Sequence, residues 1–239
     1  ASSLDLTAVT DLPSALPWLT GSNRVAYVNE GSPLTGDNVV NGGTCSQLTL
    51  SVEGGDFRPA KAFLAENATL TCPVNGLALL MLPFHATIPQ GAKAYTLDDD
   101  LTLQQMRSIP AHTPVLVEGW GEMTFTGSGD VDYAASPLTA LLRGGYGQRP
   151  LYAGDYRLAC RDGQWGLERL TAADTLQPFG VYVNPGSQED FIALDLKPTG
   201  IRSVTATQAD SRWFNLMGQP VEQPAKGIYV KNGKKTIVR

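Results

Sequence analysis

The two histidines of the chain are the first residues that could carry chemistry. His85 lies in the segment LPFHAT and His112 in the segment IPAHTPV. A histidine pair can bind a metal ion or act as an acid–base couple, because the imidazole ring titrates near neutral pH. Both histidines, however, lie close to prolines that mark strand ends. This context favours a structural role, and we predict no catalytic residue from this pair.

Two glutamates offer a second kind of chemistry. Glu118 and Glu122 flank the tripeptide Gly119–Trp120–Gly121, and a glycosidase needs two carboxyl groups about 5–10 Å apart. Closeness to the Trp120 indole is the only sequence feature that suggests a catalytic role for these glutamates. The segment TGSGD (126–130) does not lead into the helix that a serine nucleophile elbow requires, and the sequence contains no nucleotide-binding fingerprint. We therefore predict a protein that is not an enzyme.

Aspartates supply the candidates for a metal site. Asp98, Asp99 and Asp100 are consecutive, so on an extended chain their side chains alternate between two faces and do not converge on one ion. Asp130 and Asp132, in the segment GSGDVDY, share a face and lie beside glycines. Carboxylate oxygens are the ligands that Ca²⁺ prefers. We keep Asp130 and Asp132 as candidate Ca²⁺ ligands, expect a solvated turn at 98–100, and predict no cofactor.

Three aromatic residues lie beside glycines or in a hairpin, namely Trp120, Tyr146 and Trp165. If their rings are exposed and coplanar, they form a platform on which a sugar can stack. In that case the chain is a carbohydrate-binding module or a glycan-processing accessory protein. The other interpretation places Trp120 and Trp165 in the core or against a hairpin.

The cysteines number three, Cys45, Cys72 and Cys160. An odd number does not form a disulfide framework. Cys72 and Cys160 lie in strand-like segments and could form one disulfide across a sheet, whereas three buried, reduced thiols are the alternative. The spacing of cysteines and histidines matches no zinc motif.

The composition predicts an all-β protein. Charged residues make up 17 % of the chain, below the roughly 25 % typical of soluble domains. Glycine (25) and proline (16) are frequent, which is typical of many short strands joined by turns. The net charge of −5 and the pI near 5.0 argue against a nucleic-acid partner. No apolar run reaches the ~18 residues of a membrane-spanning helix.

The spacing of apolar residues divides the chain into three parts. Residues 1–47 carry leucines spaced as in one turn of a leucine-rich repeat, which must cap an array or lean on the next segment of the chain. Residues 48–185 alternate with a period of two and predict a β-sandwich-like module. Within it, Asn75–Gly76 predicts a hairpin turn, and residues 154–170 predict a hairpin around Asp162–Gly163. Residues 136–145 are the best local helix candidate, although the segment is short enough to be a turn. Residues 186–239 predict a small C-terminal β extension that ends in a hairpin around Asn232–Gly233.

Several phrases together resemble a known group of proteins. They are FRPAKAFLAENATLTC (57–72), LLMLPFHATIPQGAKAYTL (79–97), IPAHTPVLVEG (109–119) and GDYRLACRDGQWGLERL (154–170). In this order they resemble a β-rich module at the C-terminal end of secreted Bacteroidetes surface proteins, many of the BspA-like leucine-rich-repeat kind. NGGTCSQLTL (41–50) resembles the phrase that comes after the last repeat. The tail (213–239) resembles the sorting-type C-terminal segment of that phylum.

The resemblance implies an exported protein whose signal peptide has been removed. Its location would be extracellular or at the outer-membrane surface. Its role would be adhesion, interaction or anchoring without catalysis, with a protein or a glycan at the cell surface as partner. Thr175, in Asp174–Thr175–Leu176, resembles the O-glycosylation acceptor of these bacteria. The oligomeric state is not predicted.

Overall fold

The chain folds as an all-β protein, which confirms the predicted class. The computed structural model describes residues 2–98, 101–134 and 141–196, together with the backbone of four strands in the C-terminal part. Its regular elements in these residues are 22 strands and one short 3₁₀-helix, Pro17–Leu19. The chain divides into two compact units, residues 1–198 and residues 199–239. The described part of the chain holds no helix with the length and apolar character that a membrane span requires.

Eleven strands form the largest sheet. They are β1 (Ser3–Asp5), β2 (Val25–Val28), β3 (Val39–Asn41), β4 (Thr44–Cys45), β5 (Leu48–Ser51), β6 (Phe63–Met81), β7 (His85–Thr87), β8 (Lys93–Leu97), β9 (Leu103–Gln105), β10 (Ser108–Ile109) and β11 (Pro114–Val131). Their main order is β1-β2-β3-β4-β6-β11-β7-β10, with β5 paired to β6 and β8 paired to β11 and β9.

The long strands β6 and β11 are the centre of this sheet. They run antiparallel from Met81 opposite Pro114 to Phe63 opposite Val131, with one irregularity at 127–129. The predicted turn at Asn75–Gly76 is wrong, because both residues lie inside β6. Asn75 pairs with Trp120 and Gly76 with Gly119. A partner strand along the whole segment outweighs the local turn preference, and glycine accommodates the φ of +93° at position 76.

The N-terminal strands form a parallel ladder. Ser3 of β1 lies opposite Val25 of β2, and Ala26 of β2 lies opposite Val39 of β3. The sequence separation between Ser3 and Val25 falls within the length of one leucine-rich repeat, whereas the separation between Ala26 and Val39 is shorter. A small separate core lies beneath the ladder, formed by Leu19, Ala26, Val28, Leu34 and Val39. The same strands also contribute to the main core and continue the large sheet, so 1–47 is not structurally separate. A repeat cap remains a prediction for this segment.

The second half of the first unit adds seven strands. They are β12 (Leu142–Gly144), β13 (Arg149–Leu151), β14 (Tyr156–Arg161), β15 (Gln164–Arg169), β16 (Asp174–Leu176), β17 (Val181–Val183) and β18 (Phe191–Ala193). Five form a sheet in the order β12-β17-β14-β15-β18, and β13 pairs with β16. The predicted helix at 136–145 is wrong over 142–144, which pair as a strand with β17; residues 136–140 lie outside the described part.

One predicted hairpin and one predicted domain boundary fall in this half. The predicted hairpin around Asp162–Gly163 is confirmed, since Arg161 lies opposite Gln164. The predicted start of the C-terminal extension at 186 is too early. β18 pairs with β15, so the chain up to residue 196 belongs with the five-stranded sheet, and the division between the units comes after residue 198.

The main core lies between the large sheet and the five-stranded sheet. Fully or almost fully buried side chains of both sheets belong to one cluster, among them Leu70, Leu80, Phe84, Phe125, Tyr156, Leu167 and Val183. A core shared by two sheets is the layered arrangement expected of a sandwich-like module. Alternate residues of β5 and of parts of β6 and β11 enter this core, whereas Val115, Leu116 and Val117 of β11 are all buried.

The second unit contains a four-stranded sheet. Its strands are β19 (Trp213–Phe214), β20 (Pro220–Val221), β21 (Gly227–Lys231) and β22 (Lys234–Val238), in the order β20-β19-β21-β22. Lys231 lies opposite Lys234, which confirms the antiparallel strand pair of the predicted terminal hairpin. The turn residues Asn232 and Gly233 lie outside the described residues.

Candidate functional site

Trp120 is the most exposed large hydrophobic residue of the described part, at 77 % exposure. It lies in the middle of β11, opposite Asn75 of β6. The residue after each is a glycine in the left-handed region, Gly121 with φ +90° and Gly76 with φ +93°. Such glycines interrupt the regular pleat of paired strands. The indole therefore projects from an irregular point of an otherwise continuous ribbon.

Glutamates flank the indole on the same strand. Glu118 accepts hydrogen bonds from Lys93 Nζ at 3.2 Å and from the Tyr95 hydroxyl at 2.8 Å. Burial, together with this bond to Glu118, raises the pKa of Tyr95 to about 12, so the hydroxyl stays a donor. Glu122 is exposed and lies opposite Pro73. Four residues of extended strand place the Cα atoms of Glu118 and Glu122 about 13 Å apart, and Lys93 and Tyr95 engage the Glu118 carboxylate, an arrangement that does not suit a glycosidase pair.

A groove of about 380 Å³ begins at Pro73. We name it the Pro73 groove. Its polar lining residues are Gln148, Gln177, Glu53 and Asp56, and Val52, Pro73 and Pro178 supply apolar surface. Pro73 and Asn75 both face outward two residues apart on β6, and Asn75 is the partner of Trp120. By strand register, Trp120 and Pro73 are diagonal neighbours across two strands, with Cα atoms roughly 7–8 Å apart. We name the indole and the neighbouring groove together the Trp120 surface.

Two buried asparagines fix the rim of the Pro73 groove. Asn38 donates to the Thr49 carbonyl at 2.9 Å and accepts from the Thr49 N–H at 2.7 Å. Asn23 makes the same pair of bonds with Ser51, at 2.7 Å and 2.9 Å, and also donates to the Gly55 carbonyl. These side chains occupy the edge of β5 in place of a neighbouring strand, and they hold the 52–56 turn against it.

A hydrogen bond between a backbone N–H and a side-chain carboxylate joins the two sides of the groove. Asp56 accepts the Gln148 N–H at 2.7 Å through one carboxylate oxygen and binds Arg58 at 3.0 Å through the other. The 52–56 turn of the large sheet and the segment before β13 are thereby held together. The groove is therefore built from parts of the chain that are far apart in sequence.

Hydroxyl side chains cover the outer face of the large sheet next to this surface. One row crosses five strands in register, and its members are Thr49, Thr69, Thr126, Thr87 and Ser108. A second row contains Ser51, Thr71 and Thr124. We call these rows the hydroxyl face. The Thr87 and Thr126 hydroxyl oxygens lie 3.1 Å apart. The second row is adjacent to the Glu122–Pro73 pair, so the hydroxyl face continues the Trp120 surface.

The predicted aromatic platform does not form, because its three rings lie in different environments. Tyr146 is completely buried, donates to the Leu82 carbonyl at 3.0 Å and contacts His112 Nδ1 at 2.6 Å. Burial raises the pKa of Tyr146 far above its ordinary value. Trp165 is half-buried and packs over Gly76. Only Trp120 of the three is exposed.

The histidines and aspartates are used in local contacts. His112 Nε2 lies 3.1 Å from Asp132 Oδ1, and His85 Nε2 lies 3.1 Å from the Ser108 hydroxyl, so the two rings do not converge. Among the described residues, no group of three His, Cys, Asp or Glu side chains could hold a metal ion. The Ca²⁺ prediction for Asp130 and Asp132 therefore gains no support. Asp99 and Asp100 lie outside the described residues.

The predicted disulfide between Cys72 and Cys160 is absent. All three cysteines are free thiols. Cys72 is buried on the core side of β6, whereas Cys160 is exposed on β14, so the two side chains do not meet. Burial raises the pKa values of Cys45 and Cys72 to about 11. These two residues therefore act as small apolar core side chains.

Thr175 lies on the exposed strand β16. Its backbone N–H donates to the Asp174 carboxylate at 2.8 Å, and its side chain is open to solvent. This placement is compatible with an O-linked glycan. The modification itself remains a prediction.

Sequence reasoning missed the residues that build the groove. Gln148, Gln177 and Asp56 come from separate segments, and nothing in their local sequence joins them. A signal for the asparagines was present, since Asn23 and Asn38 each come shortly before a strand of the parallel ladder. Comparison of the chain with protein-family models, curated proteins and solved structures gives no match.

Proposed function

We propose that the chain is a non-catalytic interaction module of an exported bacterial surface protein, with Trp120 and the Pro73 groove as its binding surface. The observation that carries this proposal is the 77 % exposure of Trp120 beside a preformed groove. Exposed tryptophans next to pockets dominate the binding energy of many interfaces. A pocket with a few convergent polar groups is the usual form of a ligand site.

The arrangement of the described titratable groups favours binding over catalysis. Glu118 is engaged by Lys93 and Tyr95, and its spacing from Glu122 does not suit acid–base hydrolysis. His112 is engaged by Tyr146 and Asp132. These groups serve structural contacts, which leaves recognition as the role that suits the exposed surface.

The export part of the proposal rests on the resemblance to secreted surface proteins and on the exposed Thr175. Fractionation of the native, full-length protein tests it, combined with the intact mass of the recovered chain. We expect recovery from the cell surface or the medium, and a mass increase at Thr175 if the glycan is present. Recovery from the cytosol would overturn the export proposal.

The binding surface is tested by adhesion. Beads coated with the full chain are exposed to immobilised mucin and to extracellular-matrix protein, and the force or number of attached beads is measured. We expect Trp120→Ala to lower attachment at least tenfold. Tyr152→Ala is the matched control, because Tyr152 is also an exposed aromatic (65 %) but lies before β14. Equal attachment of the two variants would contradict the proposed surface.

A further inference from the structure

The chemistry of the Pro73 groove restricts the ligand that it can hold. The Gln148 and Gln177 side chains each provide donors and an acceptor, and the carboxylates of Glu53 and Asp56 provide acceptors. A ligand with closely spaced hydroxyl groups, which donate and accept at each position, matches this mixture. Val52 and the two prolines offer apolar contact, which suits the C–H groups of the same ligand.

The charge of the same surface argues against an acidic ligand. Two carboxylates and no lysine or arginine are among the residues that line the Pro73 groove. The exposed Glu122 adds a third carboxylate next to it. Arg58, the nearby cation, is bound to Asp56 at 3.0 Å. An anionic ligand would therefore meet like charges, which disfavour its binding.

The indole and the hydroxyl face extend the contact on both sides of the groove. An exposed indole offers a flat apolar face for the C–H face of a sugar ring. On the other side of the Glu122–Pro73 pair, Ser51, Thr71 and Thr124 form the second row of the hydroxyl face. From Trp120 to Thr124 the strand extends about 13 Å, which suits a short chain of sugars.

A peptide suits this surface less well. Grooves that bind proline-rich peptides are lined by aromatic side chains, whereas this surface presents one exposed indole, and the Pro73 groove has no aromatic lining. The apolar lining of the groove is limited to Val52, Pro73 and Pro178, which is too short for the i, i+3, i+4, i+7 anchors of an amphipathic helix.

From this combination we infer that the Trp120 surface binds an uncharged oligosaccharide, with a sugar ring on Trp120 and neighbouring hydroxyl groups in the Pro73 groove. The inference rests on the proposed function, because it names the ligand of that binding surface.

The test uses the full chain on a glycan array that carries neutral hexose and N-acetylhexosamine oligosaccharides, uronate-containing and sulfated glycans, and a proline-rich peptide. Retained probes are then titrated by calorimetry. We expect neutral oligosaccharides to bind, with little change in affinity when salt is raised. Trp120→Ala should weaken binding at least tenfold, and the double variant Gln148→Ala/Gln177→Ala several-fold. Tyr152→Ala should bind as the unchanged protein does.

The possible outcomes distinguish an error in the ligand class from an error in the location of the binding surface. Trp120-dependent binding of only anionic glycans or only the peptide would overturn the neutral-sugar inference and leave the binding surface in place. The same holds if no array member binds while bead attachment still depends on Trp120. Neutral glycans that bind Trp120→Ala and the unchanged chain equally would overturn the assigned site. Near-ultraviolet circular dichroism of each variant shows that its fold is retained.

Discussion

Asn38 and Asn23 act as substitutes for a strand. Each presents one donor and one acceptor to a single residue of β5, which is the pattern that a neighbouring strand would offer. Both are almost fully buried, and a buried amide requires partners for its N–H and C=O groups. These two residues therefore determine where β5 and the rim of the Pro73 groove lie.

Replacement of Asn38 by alanine should lower the free energy of unfolding by about 2–4 kcal/mol, because the N–H and C=O of Thr49 would lose their partner. Urea unfolding followed by circular dichroism measures the change. Asn38 has a φ of 62°, so alanine also adds backbone strain. Asn38→Gly removes that strain and isolates the hydrogen bonds. Asn75→Ala, at an exposed position, should change stability by less than about 0.5 kcal/mol; an equal loss there would contradict the argument.

The cysteines should differ sharply in reactivity. The thiolate is the nucleophile, and burial raises the pKa values of Cys45 and Cys72 to about 11, so both remain protonated near pH 8. Cys160 is exposed. We expect a disulfide reagent to modify one thiol of the folded protein and three thiols in urea. Cys160→Ser should abolish the reaction of the folded protein, and any fast-reacting thiol in that variant would show that burial does not protect Cys45 and Cys72.

The β6–β11 ribbon is the element on which the site depends. Gly76 sits where this ribbon meets the hairpin of β14 and β15. A Cβ atom added at Gly76 would lie 2.7 Å from Cζ2 of Trp165, whereas one added at Gly121 would meet nothing within 4 Å. The two glycines have similar φ values, +93° and +90°. They therefore form a natural pair for separating backbone strain from steric overlap.

Gly121→Ala should cost about 1–2 kcal/mol of unfolding free energy through strain alone. Gly76→Ala carries the same strain and the overlap with Trp165, and should cost about 1–3 kcal/mol more. Urea unfolding of both variants measures the difference. Trp165→Ala in the Gly76→Ala background should recover part of it in a double-mutant cycle. Additive effects of the two substitutions would show that the indole does not limit position 76.

The elements were partly predictable from sequence. Alternation of apolar and polar residues marks β5 and much of β6 and β11, because one face of each strand enters the core. The Asn75–Gly76 error has a physical cause. Turn preference is a local property, whereas the pairing of β6 with β11 joins segments more than thirty residues apart. The groove was unpredictable for the same reason, since Gln148 and Pro73 meet only through the tertiary fold.

At the scale of the molecule, the hydrophobic cores formed by the described side chains lie within the first unit. The three clusters of buried residues found among the described side chains use residues between 19 and 194. The predicted all-β class came from composition, because few charges and many glycines and prolines suit short strands joined by turns. The predicted division at 185 failed, because β18 completes a sheet that begins far upstream.

A fragment of residues 1–198 should therefore fold by itself. We expect a cooperative urea transition and a near-ultraviolet circular dichroism signal from its buried tyrosines, because the core clusters are all retained. The full chain provides the comparison. A fragment that is soluble but lacks the near-ultraviolet signal would show that its packing requires residues 199–239.

The continuous pairing of β6 also bears on how the protein ages. Asn75–Gly76 is the dipeptide at which asparagine most readily loses its amide, since the following backbone nitrogen attacks the side-chain carbonyl. That nitrogen belongs to Gly76, which is buried and lies opposite Gly119 in the paired strands, and the closed ribbon restricts the backbone rotation that the attack requires. Conversion of Asn75 to an acid thus requires local opening. The rate of deamidation at Asn75 in the stored protein therefore reports how often the β6–β11 ribbon opens locally.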